Sequence, residues 1–195
     1  MKKLILPVIA LLLVTTLVGC GEGGSGKNSP NVTGDSSVTT EVMSLLKSFA
    51  SAMLNEDVKG FANCLAFPFS SRNDAILSSI TYDSYEEFIN TFKFSDEYFS
   101  IDFLRYDISN AHFDDNGDGT GIVTYDVFET IRIPGYGKGS EKDKVQLKLA
   151  KVNGQWKIKE YYLVYSEIVS LDPEFQSLNT PNLNIIGSLS DTKNK

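Results

Sequence analysis

Two glutamates sit in rows of apolar and aromatic residues. At alternate positions Val123, Tyr125, Val127, Ile131 and Ile133 share one face, and Glu129 lies on it. Further along, Trp156, Ile158, Tyr162 and Val164 share a face with Glu160. A carboxyl held among apolar side chains has a raised pKa and serves as a general base or acid. A neighbouring phenol, Tyr125 or Tyr162, donates to a developing oxyanion. Those four residues, Tyr125, Glu129, Glu160 and Tyr162, together with Trp156 are also the candidates for contacting a bound ligand without chemistry. The opposite faces also carry apolar residues, Ile122 and Phe128 on one strand and Tyr161 and Leu163 on the other. A bulge would therefore reverse either assignment. An alternative places either glutamate at the pocket mouth, paired with Lys148, Lys157 or Lys159.

Other chemistry-bearing residues are few. His112 is the single histidine, so any Ser-His-Asp triad must use it. It stands beside an Asp-rich turn and reads as a solvated turn residue. Asp114-x-Asn116-x-Asp118-Gly119 matches the first six positions of a calcium loop. The twelfth position, where a bidentate Glu belongs, is Tyr125, so the segment reads as a hairpin turn with weak calcium binding as the alternative. Cys64 lies in the apolar context Phe61-Ala62-Asn63-Cys64-Leu65-Ala66 and reads as a small buried hydrophobe. One His and two Cys do not make a structural zinc site. Neither GxGxxG nor GxxxxGK[ST] occurs, and no cofactor is expected.

The leader says where the chain goes. Lys2 and Lys3 precede an apolar run, Leu4 to Val18, too short for a span of about 20 residues. Leu17-Val18-Gly19-Cys20 resembles the lipobox of bacterial lipoproteins. The resemblance implies a signal peptide over residues 1–19, lipid on Cys20, and attachment to the outer face of a bacterial cell membrane. Gly21 after Cys20 suggests outer-membrane sorting where the cell has such a membrane. Acyl chains contribute about 0.8 kcal/mol per buried methylene, so two or more anchor stably. Beyond the leader the chain keeps 16 basic and 25 acidic residues. That balance lacks the basic footprint nucleic-acid binding needs.

The elements that position the candidates follow from periodicity. Residues 20–37 hold one aliphatic side chain, Val32, and read as a flexible tether. Val42, Leu45, Leu46, Phe49 and Met53 form a helical stripe from about Thr39 or Thr40. Asp57 caps a second helix over Val58 to Ala66, ended by Phe67-Pro68-Phe69. Ala75 to Ile80 is a short strand candidate. Ser84-Tyr85-Glu86-Glu87 opens a third helix with Tyr85, Phe88, Ile89 and Phe92 on one face. Tyr82, Phe94, Tyr98 and Phe99 join these aromatics as core or as ligand lining. The period then changes to two: strands over 99–113 and 121–133, a third through Val145, Leu147 and Leu149, an Asn153-Gly154 hairpin, and a fourth over 156–165. Residues 171–195 read as a loose tail. Helices first and strands after predict an α+β domain over 38–170, with N-terminal helices packed on a strongly curved antiparallel sheet.

This order resembles the NTF2-like (SnoaL-like, cystatin-like cone) family. The residues that carry it are Leu46-Lys47-Ser48-Phe49-Ala50-Ser51-Ala52-Met53-Leu54-Asn55-Glu56-Asp57 with the helix from Val58, and Lys148-Leu149-Ala150-Lys151-Val152-Asn153-Gly154-Gln155-Trp156-Lys157-Ile158. The resemblance implies a cone-shaped pocket between helices and sheet, and frequent homodimers through the sheet. It includes isomerases, dehydratases and cyclases among many members that only bind. The expectation drawn from it is a non-catalytic binding module for a small apolar ligand or an envelope protein partner. The alternatives are a cofactor-independent isomerase or dehydratase with a pocket Glu as base, and a dimerising structural module.

Overall fold

The computed structural model describes residues 29–73, 78–94, 101–134 and 137–172. The leader, Cys20, Tyr98, Phe99 and the tail beyond 172 lie outside these residues. The elements are β1 (Val32–Gly34), α1 (Thr40–Leu54), α2 (Val58–Asn63), β2 (Leu65–Asn73), β3 (Ser78–Tyr82), α3 (Tyr85–Thr91), β4 (Asp102–Asp115), β5 (Thr120–Ile133), β6 (Gly137–Val152) and β7 (Gln155–Leu171). The strands form one sheet in the order β1-β4-β5-β6-β7-β2-β3.

Local chemistry sets the helices. Thr39 caps α1 by accepting from the Val42 N–H at 3.3 Å, and Asn55 closes it by donating back to the Ser51 carbonyl at 2.8 Å. The buried face of α1 is Val42, Leu45, Leu46, Phe49 and Met53 with Ala50, Ala52 and Leu54. It packs against β4 and β7. Asp57 caps α2 through the Gly60 N–H at 2.9 Å. Ser84 accepts from the Glu87 N–H at 3.1 Å, and the Glu87 carboxylate accepts from the Asp83 N–H at 2.7 Å. That is a variant of the capping box, shifted by one residue.

Four expectations are corrected. The sheet is mixed, because β1 runs parallel to β4 and β2 runs parallel to β7. The flexible tether expected over 20–37 does not extend so far: Val32 is buried, the Ile108 N–H donates to the Asn31 carbonyl at 2.8 Å, and Asp35 and Ser37 are bound to β4. The helix expected to reach Ala66 stops at Asn63, and Leu65 opens β2 instead. Pro68, preceded by a cis peptide, sits within that strand, where β2 leaves register with β7 between Leu65 and Ser70. The last strand continues to Leu171, past the expected end at 165.

The hairpin between β6 and β7 is as expected. Asn153 and Gly154 both hold positive φ (52° and 79°), the requirement of a two-residue type I′ turn.

The core lies between the helices and one sheet face. Phe61 makes edge-to-face contacts with Phe49, Phe69, Phe88 and Phe92. Phe88 stacks on Phe92 at 4.6 Å and meets Tyr82 edge-on at 4.8 Å. The aromatics of 82–94 are thus packing residues, apart from Tyr85, which is exposed.

Candidate functional site

β5 and β6 pair in unbroken register from Thr120 to Ile133. Alternation therefore holds, and Val123, Tyr125, Val127, Glu129 and Ile131 all point inward and are buried. Opposite Glu129 on β6 stands Glu141, and opposite Val127 stands Asp143. Paired residues of an antiparallel ladder share a face. Three carboxyl groups thus converge inside the core, with one oxygen from each within 4.8 Å of the others. Their exposures are 1% for Glu129, 6% for Glu141 and 4% for Asp143.

The cluster is poorly satisfied. Neither carboxyl oxygen of Glu129 has a hydrogen-bond partner, nor has Asp143 Oδ1. Ser166 on β7 donates to Glu141 Oε2 at 3.1 Å. Burial pushes Glu129 well above the ordinary carboxyl range, and the charges of Asp143 and Glu141 add to it. Burial, then the Asp143 charge, pushes Glu141 up to about 7 against the Ser166 hydrogen bond. Burial pushes Asp143 up to about 6, opposed by Ser166. Tyr106 stands opposite Glu129 across β4–β5. Its hydroxyl and that of Tyr125 are buried with no well-formed hydrogen bond, and Tyr106 stands close enough to Tyr125 and Tyr161 to lower the pKa of both against burial. Burial raises the pKa of Tyr106, Tyr125 and Tyr161, so all three phenols stay protonated.

Glu160 and Tyr162 do not join this cluster. β7 leaves register with β6 between Ile158 and Glu160, and again between Leu163 and Tyr165. The inward set becomes Trp156, Ile158, Tyr161 and Leu163. Glu160 turns outward and accepts from Lys148 Nζ at 2.9 Å. Tyr162 lies half-buried under the Arg72 guanidinium, 4.7 Å from its ring centre. Trp156 is buried at the other end of the sheet, edge-on to Phe113 at 5.3 Å. Of the five candidates, Tyr125 and Glu129 come together, and Tyr161 stands where Tyr162 was expected.

Glu141, Asp143 and Tyr106 were missed. A signal existed for the two acids. They share parity with Val145, Leu147 and Leu149, so extending that apolar row upstream puts both on the inner face. The alternating lysines Lys142 and Lys144 disguised the row as a solvated segment.

The remaining candidates are spent on structure. His112 Nδ1 lies 2.7 Å from Asp35 Oδ2 and 3.1 Å from Ser37 Oγ. In a hydrolytic triad the acid and the serine contact opposite ring nitrogens. Here both crowd one nitrogen, and the Ser37 hydroxyl also donates to Asp35 and accepts from the Phe113 N–H at 2.9 Å. The group fastens the N-terminal segment to β4. Asp118 accepts from the Thr120 N–H and hydroxyl, and Asp115 accepts from the Gly117 N–H. Asn116 donates to Thr120 Oγ1 at 2.9 Å. These bonds build the β4–β5 turn, with Asp114 exposed beside His112. Cys64 is buried, and desolvation pushes its thiol up to about 11, so it is an unreactive packing residue.

Two concavities matter. Inside the cone, the void among Phe61, Phe69, Ser71, Tyr82, Phe88, Phe92 and Tyr161 is about 10 Å³, roughly one water. Outside, an open groove of about 1010 Å³ runs between α1, the α2 region and the β6–β7 hairpin. Its walls mix polar residues, Thr40, Ser44, Ser48 and Ser51 from α1, Asn63 at the end of α2 and Gln155 from the hairpin, with charged Glu41, Lys47, Asp57 and Lys157 and apolar Leu45, Ala52 and Trp156.

The mixed sheet with helices on one face is similar to the fold of solved NTF2-like structures. The chain is similar in structure to an NTF2-like protein from Prochlorococcus sp. NATL2A, with a TM-score of 0.51 and 17% identity over 65% of this chain and 91% of that one. It is similar to a ketosteroid isomerase-like protein from Erwinia carotovora atroseptica, with a TM-score of 0.49 and 12% identity over 67% and 95%. A cystatin-like protein from Nostoc punctiforme PCC 73102 gives a TM-score of 0.43 and 20% identity over 68% and 90%. No protein-family model and no curated protein matches the chain.

Proposed function

We propose that the protein is a lipid-anchored, extracytoplasmic NTF2-like module. It binds a protein partner at the cell envelope, without catalysis, through the outer groove rather than the cone. The observation that carries this reading is the packed interior. A drug-sized ligand needs about 300 Å³ or more, and among the described residues the cone offers about 10 Å³. The groove is large and lined by hydroxyls, amides and two charges of each sign, Glu41, Asp57, Lys47 and Lys157. Such a lining suits an extended polypeptide segment, whose main chain both donates and accepts, better than an apolar small molecule. The anchor rests on the lipobox-like Leu17-Val18-Gly19-Cys20.

The test is site-specific photo-cross-linking in cells. A cross-linking residue at Ser48, inside the groove, should give one adduct of discrete mass. The same residue at Lys142, outside it, should not. Equal labelling at both sites, or none at Ser48, overturns the reading. Cys20→Ala should move the protein from the membrane fraction to the soluble one.

A second reading is favoured by one feature. Glu129 is a buried carboxyl with unclaimed oxygens beside tyrosine hydroxyls, the equipment of a general base and an electrophile. It would require the aromatic plug to open. Native mass spectrometry of the purified chain decides between the two. A retained small molecule of a few hundred daltons would transfer the site to the cone.

A further inference from the structure

We infer that Glu129, Glu141 and Asp143 form a buried site for one hard divalent cation, with the Tyr106 hydroxyl at its edge. The inference is independent of the groove and its partner.

Geometry comes first. One oxygen of each carboxyl lies within 4.8 Å of the other two. The middle of such a triangle is less than about 3 Å from each corner, close to the Ca²⁺–oxygen range of about 2.3–2.6 Å. Three carboxylates offer up to six oxygens, and every donor is oxygen. That set suits Ca²⁺, Mn²⁺ or Mg²⁺ rather than zinc or copper.

Unclaimed valence comes second. Buried carboxylates are expected to be paired or to hold a metal. Both oxygens of Glu129 and Oδ1 of Asp143 lack any hydrogen-bond partner. None of the described ion pairs reaches the three acids; Arg105, Arg132 and Lys148 serve Asp107, Asp102 and Glu160.

The third observation stands outside the acids. Tyr106 is 1% exposed, stands opposite Glu129 in the ladder, and its hydroxyl makes no well-formed hydrogen bond, its neighbours being the Tyr125 and Tyr161 phenols. Glu129 and Asp143 lie near enough for their charges to bear on it. Tyr125, four residues from Glu129 on the same face of β5, also has a buried hydroxyl with no well-formed hydrogen bond. Ser166, donating to Glu141, is placed as an outer-shell group that orients a ligand.

The full-length chain, purified in detergent and stripped with EDTA, is titrated with CaCl₂, MgCl₂ and MnCl₂ separately. At least one cation should raise the thermal midpoint by about 5 °C or more at saturation, with one ion per chain by elemental analysis. Glu129→Gln and Glu141→Gln keep shape and lose charge, and each should weaken the response at least tenfold. Asp118→Asn, in the exposed β4–β5 turn, should leave it intact. Tb³⁺ provides a readout that needs no variant: tyrosine-sensitised emission that Ca²⁺ displaces is expected from Tyr106 and Tyr125. The inference is overturned by any of three results. No cation shifts the midpoint up to about 10 mM, the weak end of extracellular calcium sites. The shift survives both glutamine variants or vanishes in Asp118→Asn. Tb³⁺ gives no sensitised emission.

Discussion

At the scale of single residues, the three inward acids make the folded chain hold protons that the unfolded chain releases. Asp143 is pushed up to about 6 and Glu141 to about 7, both chiefly by burial. A carboxyl whose pKa is raised by folding stabilises the fold fully below its unfolded value, near 4. That contribution is lost as pH climbs through the folded value. His112 acts in the same direction, since its hydrogen bond to Asp35 raises its pKa. The urea midpoint, measured in EDTA, should therefore fall steadily from pH 5 to pH 8. A flat or rising profile contradicts this account of the cluster. Glu129 gives a sharper case. Glu129→Gln removes the titration and keeps the volume. In EDTA at pH 7 it should stabilise the chain, a gain that shrinks toward pH 4.5. Paired urea unfolding of the two proteins at pH 4.5 and pH 7 measures it.

At the scale of elements, the site was legible where strands run regularly and illegible where they bulge. β5 has unbroken register with β6, so its parity places Tyr125 and Glu129 inside. β7 shifts register three times against β6, and one extra residue after Ile158 exchanges Tyr162 for Tyr161 and expels Glu160. Period-two reasoning foresees that a bulge would reverse the face, but nothing in residues 156–165 fixes where one falls. The helix caps at Thr39, Asp57 and Ser84 were readable because each is a short-range side-chain bond. The parallel pairings of β1 and β2 were not, because partners such as Val32 and Ile108 lie far apart in sequence. Gly121 shows how the β4–β5 hairpin constrains one position. A Cβ there would stand 2.5 Å from Phe113 Cε2 and 2.9 Å from the Asp114 carbonyl oxygen. Gly121→Ala should cost about 1–3 kcal/mol, and it should disturb the Phe113–Trp156 contact. The check is a chemical unfolding curve followed by Trp156 fluorescence, and an unchanged midpoint would show that Phe113 moves aside freely.

At the scale of the whole molecule, the aromatic residues decide what kind of binding is open to the protein. Among the described residues, the space between helices and sheet, a ligand chamber in the expectation drawn from the sequence, is filled by the side chains of its own walls. Phe61 is central to that filling: four other phenylalanine rings meet it edge-on, and it borders the one-water void. Its removal separates a chamber closed by packing from one that opens by itself. Phe61→Ala should destabilise the chain by about 3–5 kcal/mol. The surviving fold should also gain an apolar cavity, since voids lined by hydrocarbon stay dry and accept small aromatics. Benzene should then raise the thermal midpoint of the variant and leave the parent chain unchanged. If the parent responds equally, the plug already opens in solution. The interior would then return as a binding or catalytic chamber with Glu129 within reach. If only the variant responds, the aromatic packing closes the cone, and recognition belongs to the groove between α1 and the β6–β7 hairpin.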